Sequence, residues 1–307
     1  MQKVAIIGSG PAGLACAETL LEAGFSVSVF DELSVFGGMP AYGLPEFRSP
    51  MKNSIKKIEL IKNKGVLFKK ERVSSVKNLL SKEGFDFVVL AIGAGSGKKL
   101  SLPGEESSKV IDSLALLLES KVNNIKLLRG GEKVCVIGGG NSAIDAVREA
   151  LRQTGKGELI YRRTEKEMPA FGSELEEAKN EGVIFTFLRA PIGFKETKNG
   201  LEIELAEMKL GKEDANGRRE VTPTEKIEVR IFDKAILAVG QKLDTKWLEK
   251  EGIACENGKI LVDEKNKTLN DFVYACGDCV TGAKNIASAT VAGIKTAKSI
   301  ISSAKKS

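Results

Sequence analysis

Two short apolar runs, each leading directly into glycine, stand out in the pattern of hydrophobic and polar positions. Residues 4–7 run into Gly8, and residues 134–137 run into Gly138. Each glycine turn is followed by apolar residues at the spacing of an amphipathic helix, and then by a second apolar run. Uniformly apolar runs of this length are typical of buried strands. The pattern therefore predicts the same strand, turn, helix and strand twice, as a weak internal repeat.

Both turns carry glycine at the spacing of a dinucleotide-binding turn. A tight strand-to-helix turn without side chains lets the amides at the helix N-terminus approach a pyrophosphate. One such match is a weak signal, whereas two in the same local context are a strong one. We therefore predict an α/β protein of two doubly wound, Rossmann-like dinucleotide-binding domains. The positions are Gly8, Gly10 and Gly13 in the first copy, and Gly138, Gly140 and Ala143 in the second.

The strand that follows each turn ends differently in the two copies. The first ends at Asp31, whose carboxylate is suited to accept hydrogen bonds from ribose hydroxyls. The second ends at Arg162 and Arg163, which cannot accept such bonds but form charge-assisted pairs with a phosphate. We predict FAD in the first domain and NADP(H) in the second, with both arginines at the 2'-phosphate. The alternative is that the arginines form only a solvated strand end.

Three further apolar runs end in small residues and mark where the domains close. They end at Gly93, at Gly240 and at Gly277 with Asp278, and a helical pattern over residues 285–300 follows the last. We predict an FAD-binding domain of residues 1–103 and 244–307, with an NAD(P)H-binding domain of residues 104–243 inserted in it. Residues 191–230 are polar with alternating stretches, which predicts an antiparallel meander in the second domain.

Composition narrows the setting of the protein. The 307 residues include five cysteines, an odd number spread thinly, which favours reduced thiols and a cytoplasmic protein. No apolar run approaches the roughly 20 residues of a membrane-spanning helix, so we expect no membrane association. The formal net charge of +6 is modest and no aromatic platforms accompany it, so we expect no nucleic-acid partner.

Four segments of the chain resemble the small subunit of glutamate synthase. They are also similar to the flavin and NADPH module of dihydropyrimidine dehydrogenase and to NADH-dependent ferredoxin:NADP oxidoreductases. The resemblance covers nearly the whole chain except residues 191–230, and its more specific motifs are PEFR, and YRR with EMPA. The segments are GGMPAYGLPEFRSPMK (37–52), GGGNSAIDAVREAL (138–151), YRRTEKEMPA (161–170) and YACGDCVTG (274–282).

The resemblance implies a set of cofactor-binding residues. Asp278 would hold the phosphate and ribityl side of FAD, and Val73 would contact the adenine through its backbone. The amides of residues 288–290 would face the pyrimidine end of the flavin, where a helix N-terminus favours negative charge. We expect no catalytic acid or base and no metal site. The FAD set is Gly8, Gly10, Pro11, Ala12, Gly13, Asp31, Glu32, Gly38, Met39, Arg48, Val73, Gly93, Gly277, Asp278, Ser288, Ala289 and Thr290. The NADP(H) set is Gly138, Gly140, Asn141, Ser142, Arg162, Arg163 and Gly240.

The implied activity is hydride transfer between NADPH and FAD, with electrons passed to an iron-sulfur partner protein or subunit. Many members of this group carry a cysteine-rich N-terminal extension that binds such clusters, and the cysteines here lack cluster spacing. We therefore expect the flavin core alone, with the cluster on another polypeptide. Residues 52–72 contain eight basic and two acidic residues, with Ile55, Ile58 and Ile61 expected to face inward. This segment would either steer an acidic partner or form only a lysine-rich solvated helix.

Three other functions stay open from the sequence. Cys276 and Cys279 form a C-x-x-C pair that would suit a thioredoxin-reductase-like disulfide reductase. However, Gly277 and Asp278 between them are expected to contact FAD away from its reactive ring. The second alternative is a subunit that binds nucleotides without turnover. The third is an oxidase or monooxygenase with its own organic substrate, for which two nucleotide-binding domains leave few residues.

Overall fold

The computed structural model describes residues 1–213 and 219–305. It divides into two compact units, which we call the first unit (residues 1–96 and 241–307) and the second unit (residues 97–240). The chain changes unit at 96/97 and 240/241, whereas the sequence-based boundaries lie at 103/104 and 243/244. The difference arises because Leu100 and Leu102 donate their amide hydrogens to Glu105 and pack against the second unit's core. Leu243, by contrast, is buried in the core of the first unit.

The strands and helices follow one another along the chain with few long interruptions. The strands are β1 (Lys3–Ile7), β2 (Ser26–Asp31), β3 (Leu67–Lys70), β4 (Phe87–Leu90), β5 (Ser96–Gly97), β6 (Val110–Asp112), β7 (Val134–Ile137), β8 (Glu158–Tyr161), β9 (Ile184–Phe187), β10 (Arg189–Thr197), β11 (Gly200–Glu213), β12 (Arg219–Phe232), β13 (Lys234–Leu237), β14 (Gln241–Lys242), β15 (Cys255–Glu256), β16 (Lys259–Ile260) and β17 (Val273–Ala275). The helices are α1 (Pro11–Glu22), α2 (Met39–Tyr42), α3 (Met51–Asn63), α4 (Val76–Ser81), α5 (Ser113–Lys121), α6 (Asn141–Thr154), α7 (Gly172–Asn180), α8 (Lys246–Lys250), α9 (Asp278–Thr281) and α10 (Ile286–Ala304), and residues Glu165–Glu167 form a 3-10 helix.

The first unit is built on a parallel five-stranded sheet in the order β17-β4-β1-β2-β3. The central strands are buried on both faces, as their uniformly apolar sequences require. Helices α1, α3 and α10 pack on one face, and α4 and α8 pack on the other. The amphipathic pattern predicted for residues 285–300 is the helix α10.

The second unit repeats this sheet in the order β6-β13-β7-β8-β9, again parallel throughout. Its central strand β7 is the counterpart of β1. Helices α5, α6 and α7 cover one face of the sheet. The other face is covered by a second, antiparallel sheet in the order β10-β11-β12. The predicted α/β class with two Rossmann-like units is confirmed, and so is the antiparallel meander predicted for residues 191–230.

An ion pair fastens the antiparallel sheet to the parallel one. Glu158, at the start of β8, is buried, and both of its carboxylate oxygens accept hydrogen bonds from Arg230 on β12, at 2.6 and 3.0 Å. Thr186 on β9 donates to the same carboxylate at 2.7 Å. Because a buried carboxylate is costly without such partners, the pair fixes where the antiparallel sheet sits on β8.

The described ranges contain neither a membrane-spanning helix nor a metal-binding cluster. Within residues 1–213 and 219–305, no helix has the length and apolar character needed to cross a membrane. Over the same part of the chain, no group of histidine, cysteine or acidic side chains is arranged so that it could hold a metal ion.

Candidate functional site

The first glycine turn leaves no room for side chains at two of its three glycines. Gly8 has a φ of +103°, and a Cβ built there would lie 2.2 Å from the carbonyl oxygen of Ala91 at the end of β4. A Cβ on Gly13 would lie 2.0 Å from the carbonyl oxygen of Gly8. Gly10 differs, since its nearest neighbour would be 3.9 Å away, on Gly38. A side chain thus has no space at Gly8 and Gly13, whereas space remains beside Gly10. This geometry lets a ligand approach the backbone.

Three more glycines bring backbone close around the start of α1. Gly38 has a φ of +62°, and its Cβ would lie 2.5 Å from the Cα of Gly10. A Cβ on Gly277 would lie 2.8 Å from the Cβ of Ala12. Gly293, within α10, would meet the carbonyl oxygen of Ala12 at 2.1 Å, so it allows α10 to pack closely on α1. Sequence reasoning missed Gly293, although a glycine inside a helical pattern often marks such a close approach.

The carboxylate of Asp31 is already part of a hydrogen-bond network. Its Oδ2 accepts from the amide and the hydroxyl of Ser9, at 2.9 and 2.6 Å. The Ser9 hydroxyl accepts in turn from the amide of Gly37 at 3.0 Å. Oδ1 accepts only from the amide of Leu33, at 3.1 Å, among the described residues. A carboxylate has about four acceptor positions, so Oδ1 keeps capacity for a ribose hydroxyl. The sequence analysis did not single out Ser9, which holds this carboxylate in place.

A tyrosine lies beside the two acidic residues at the end of β2. Burial, and to a lesser extent the charges of Asp31 and Glu32, raise the pKa of Tyr42 to about 12. Glu32 is exposed and pairs with Arg72, with 3.6 Å between Oε2 and Nε. Tyr42 was not among the predicted site residues, but it belongs to the GGMPAYGLPEFR segment that carries the family resemblance. Its hydroxyl stays protonated at physiological pH, so it is a hydrogen-bond donor at this end of the sheet.

Asp278 follows β17, the edge strand on the opposite side of the same sheet from β3, and the start of α10 comes shortly after it in sequence. Asp278 opens α9 directly after Gly277, and burial raises the pKa of its carboxyl. The amides of Ser288 and Ala289, predicted to face the flavin, donate instead to the side chain and the carbonyl of Asn285. By helix geometry the amides without an intrahelical partner are those of the first turn, beginning at Ile286. The open donors therefore lie earlier than the sequence analysis placed them.

The remaining predicted positions of the first unit are distributed around these turns. Pro11 is the first residue of α1, Met39 the first of α2, and Arg48 is half-buried after α2. Val73 packs against the core beside α4. Gly93 has a φ of +71°, with no atom of the described residues within 4 Å of its Cβ position. Thr290, in the first turns of α10, donates its hydroxyl hydrogen to the carbonyl of Ile286.

The second glycine turn is closed by different neighbours. Gly138 has a φ of +155°, and its Cβ would lie 2.3 Å from the carbonyl oxygen of Ala238. A Cβ on Gly139 would lie 2.3 Å from the ring of Tyr161 at the end of β8. Gly140 is again the open position, with Pro169 at 4.0 Å. Gly139 was not predicted, because nothing in the spacing of the turn shows that the Tyr161 ring packs against it.

The EMPA segment is tied to the start of α6. Asn141, the first residue of α6, accepts a hydrogen bond from the amide of Phe171 at 2.9 Å. The hydroxyl of Tyr161 donates to the carbonyl of Glu167 at 2.9 Å. Ser142 follows Asn141 and is half-buried, and Gly240 closes the unit with a φ of +102°. Two of the motifs that carry the resemblance therefore meet at one turn, although most of α6 and β8 lies between Asn141 and Tyr161 in sequence.

The two arginines after β8 have different surroundings. Arg162 is exposed, whereas Arg163 is only 7% exposed. The Nε of Arg163 donates to the carbonyl oxygen of Arg219 at 2.7 Å, at the start of β12. Its Nη1 is buried and has no hydrogen-bond partner among the residues the structure describes. Arg163 thus has a structural contact on one side and an unused donor on the other.

The basic segment of residues 52–72 is only partly free. Ile58 and Ile61 face inward as predicted, but the prediction for Ile55 is wrong, because its side chain is 50% exposed. Lys64 pairs with Glu18 and Glu22, and Lys69 lies within 4.0 Å of Glu83. Several of the counted charges are therefore compensated within the unit.

The C-x-x-C cysteines are buried in separate parts of the core. Cys276 belongs to the cluster on one face of the first sheet, and Cys279 to the cluster on the other face. Burial raises the pKa of both thiols, and Cys279 donates to backbone carbonyl oxygens. All five cysteines of the chain are free thiols. Cys16 and Cys135 are fully buried and pack as small core residues.

Comparison with known proteins identifies the family of this chain. The model of the pyridine nucleotide-disulphide oxidoreductase family matches residues 2–295. The NADP(+)-dependent formate dehydrogenase subunit beta of Moorella thermoacetica is 35% identical over 97% of this chain and 43% of its own length. The glutamate synthase [NADPH] small chain of Escherichia coli is 32% identical over 98% of this chain and 68% of its own length. The chain thus spans less than half the length of the first of these relatives.

The fold has close counterparts among solved structures. The structure of Mycobacterium tuberculosis FprA in complex with NADPH superimposes with a TM-score of 0.83, covering 99% of this chain and 85% of that one, at 19% identity. At that identity the likeness concerns the fold alone. The predicted class of an FAD-dependent NAD(P)H oxidoreductase is confirmed by the family match and the two relatives. The chain belongs to the pyridine nucleotide-disulphide oxidoreductase family and, within it, to the group of the glutamate synthase small subunit.

Proposed function

We propose that the chain takes a hydride from NADPH onto FAD and passes the electrons to an iron-sulfur partner. The observation that carries the choice of NADPH is the buried Nη1 of Arg163, which has no hydrogen-bond partner among the described residues and lies beside the exposed Arg162. A buried donor without an acceptor is costly, and native structures rarely retain one without a reason. A phosphate on the adenosine ribose would supply that acceptor, in the charge-assisted geometry that arginine favours.

The glycine contacts and the hydrogen bonds of Asp31 in the first unit fit FAD. Gly10 and Gly93 have open space where a side chain would stand, while the glycines behind them are closed. Asp31 is held in place by Ser9 and keeps acceptor capacity on Oδ1. The bound flavin would supply two-electron uptake from NADPH and one-electron release to an acceptor. The residues of this chain would bind and orient the two cofactors, and none of them needs to act as an acid or base.

The electron acceptor is the finer part of the proposal. Two of the relatives that match this chain are named as a subunit of formate dehydrogenase and as a small chain of glutamate synthase. Their names support a function within a larger assembly, and the family resemblance supports an iron-sulfur partner. The five free cysteines support a reducing compartment, and we propose the cytoplasm.

Anaerobic reduction tests the proposal directly. The FAD-loaded chain should lose its oxidised flavin absorbance when NADPH is added, and much more slowly with NADH. The Arg162→Ala variant should lose roughly 10-fold to 100-fold in its preference for NADPH over NADH, mostly through KM, because it removes one charge-assisted contact. Lys166→Ala is the matched control, since Lys166 is an exposed basic residue of the same loop. Arg163 is left intact because it also supports β12.

The outcomes separate the alternatives. A flavin that stays oxidised with both nucleotides would indicate a binding subunit without turnover. An unchanged preference in the Arg162→Ala variant would remove the phosphate assignment while leaving the oxidoreductase intact. Affinity purification of the chain from its native extract, with iron analysis of the bound fraction, tests the partner, and an iron-free fraction would argue against it.

A further inference from the structure

An apolar strip lies on the face of β12 that points away from the core of the second unit. Ile227 and Val229 are each 58% exposed and Ile231 is 40% exposed. Residues at alternate positions of a strand share one face. The opposite face of this strand carries Glu228, Arg230 and the buried Phe232. The apolar side chains therefore face away from the core while charged ones face toward it, which reverses the usual arrangement.

β12 is an edge strand whose outer side is unpaired. It pairs with β11 alone, in the sheet order β10-β11-β12. Within the described residues, the backbone of β12 bonds to β11, apart from a local bond from the Lys226 amide to the Thr224 hydroxyl and a bond from Arg163 to the Arg219 carbonyl at the start of the strand. The other edge of the sheet differs, because the amide of Phe194 on β10 donates to the carbonyl of Pro103. One edge of this sheet is thus closed by the chain itself and the other is open.

The open edge lacks protection only where the apolar strip lies. Proteins usually protect edge strands with proline, lysine or bulges. The part of β12 before Ile227 has such features, namely Pro223, Lys226 and two register shifts against β11. From Ile227 to Phe232 the pairing with β11 is regular, without proline, lysine or bulge, and the inward-facing charge of Arg230 is already paired with Glu158. A regular, apolar, unpaired edge is a template for another strand.

The sequence of the strip is complementary to itself when two copies run antiparallel. With Val229 opposite Val229, Ile227 of each copy lies opposite Ile231 of the other. In the same register Glu228 lies opposite Arg230, so no like charges face each other and each apolar residue lies opposite an apolar one. We propose that two copies of this chain form a two-fold dimer through this edge, which joins their three-stranded sheets into one continuous sheet. This inference does not rest on the proposed function.

The mass of the FAD-loaded chain in solution gives the first test. Light scattering after size exclusion should give twice the mass of one chain, and the Val229→Lys variant should give the mass of one. The reason is that the variant places two ammonium groups opposite each other at the two-fold axis. Ile184→Lys is the matched control and should remain dimeric, since Ile184 is 60% exposed on another edge strand, β9. Unchanged flavin content and circular dichroism of both variants keep loss of folding apart from loss of the dimer.

Cross-linking tests the register. Opposite Cα atoms of an antiparallel pair lie about 4.5 to 5.5 Å apart, within the range of a disulfide. In a Cys255→Ser background, the Val229→Cys variant should form a covalent dimer with itself on mild oxidation. The Ile227→Cys variant should not, because its two copies lie about 13 Å apart along the strands. Mixing it with the Ile231→Cys variant should restore the cross-link.

Three results would overturn the dimer. One is a wild-type chain that stays monomeric at every soluble concentration. Another is a dimer that the Val229→Lys variant does not disturb or that the Ile184→Lys control disturbs equally. The third is an Ile227→Cys variant that cross-links with itself as fast as the Val229→Cys variant does, which would exclude the two-fold register.

Discussion

The two glycine turns of this protein have the same spacing but are closed by different contacts. In the first unit the turn is closed by backbone, because Gly13 lies against Gly8 and Gly8 lies against Ala91. In the second unit Gly138 likewise lies against the backbone of Ala238, but Ala143 takes the third position and the ring of Tyr161 closes the turn from the side. The comparison shows that the motif specifies an approach route for a pyrophosphate, while the neighbours decide which glycine is indispensable.

The helices after the two turns differ as much as the turns do. α1 packs on α10 through small residues, with Gly293 against Ala12. α6 instead carries Arg148, whose side chain is only 4% exposed and is held by carboxylates of α7 and the residue that follows it. One helix is therefore positioned by close backbone contact and the other by a buried charge. Substitutions should affect the two units in correspondingly different ways.

Substitution of the third turn position should produce the largest difference between the units. Gly13→Ala places a Cβ 2.0 Å from a backbone oxygen that cannot move freely. We expect loss of FAD and destabilisation of the first unit by about 3 kcal/mol or more. Ala143→Gly, the counterpart in the second unit, should cost at most about 1 kcal/mol, through helix propensity. Flavin content and urea unfolding followed by Trp247 fluorescence measure the first effect, because the single tryptophan lies in the first unit.

A Gly13→Ala variant that retains FAD and normal stability would contradict the backbone closure of the first turn. Circular dichroism of the Ala143→Gly variant is the companion measurement. A large loss there would show that the two turns are closed in the same way after all.

Removal of the buried arginine should produce the next largest effect. Arg148 lies 2.6 Å from Glu181 and 3.1 Å from Glu174. Arg148→Met should destabilise the second unit by about 3 kcal/mol at neutral pH, because it leaves carboxylates without their buried partner. Arg152→Ala is the control: it contacts the same Glu181 from a more exposed position and should cost less than about 1 kcal/mol.

The effect of Arg148 should depend on pH with a defined sign. Hydrogen bonds from Arg148, and then from Arg152, lower the pKa of Glu181 from 4.5 to about 2. A carboxyl with a lowered pKa in the folded state stabilises the protein above its unfolded pKa, and this contribution is lost as the pH falls. The stability difference between wild type and Arg148→Met should therefore shrink between about pH 4.5 and 2. Denaturant unfolding at a series of pH values checks this, and a constant difference would exclude Glu181 as its source.

Substitution of Asp31 should have a smaller effect. Asp31 ends β2 in the first unit, whereas the corresponding strand of the second unit, β8, leads into Arg162 and Arg163. Asp31→Asn keeps the size of the side chain but loses its charge and one acceptor, so Ser9 and a ribose hydroxyl would compete for a single oxygen. We expect FAD to bind about tenfold more weakly, with little change in NADPH affinity. Fluorescence titration of the apoprotein with FAD measures the first, and titration with NADP+ measures the second. Equal FAD affinity in both proteins would exclude Asp31 as a ribose ligand.

The sequence was sufficient for features that depend on short-range pattern. Apolar runs and glycine spacing predicted both parallel sheets, both turns and α10, since these follow from local periodicity. Contacts between distant residues could not be predicted in this way. The Tyr161 ring on Gly139, the Ser9 bonds to Asp31 and the contact of Gly293 with Ala12 each join residues that meet only after folding.

The unit boundaries and β12 show a second limit. Residues 97–103 belong to the second unit because Glu105 accepts the amides of Leu100 and Leu102, which a small-residue turn in the sequence does not reveal. On β12, alternation in the sequence favours Ile227 and Val229 as the inward positions. The Glu158 and Arg230 pair instead requires the charged face to point inward. A buried charge on a neighbouring strand thus decides the orientation that hydrophobicity alone would reverse.

The cysteines should show the smallest effect and distinguish this protein from a disulfide reductase. The thiols of Cys276 and Cys279 are buried on opposite faces of the sheet, and burial raises the pKa of both. Because the other four thiols are buried, a maleimide should label one thiol per folded chain first, that of the partly exposed Cys255. Cys276→Ser should leave NADPH-dependent flavin reduction within about twofold of wild type, since its thiol belongs to the core. Rapid labelling of Cys276 or Cys279, or loss of reduction in that variant, would bring the reductase hypothesis back.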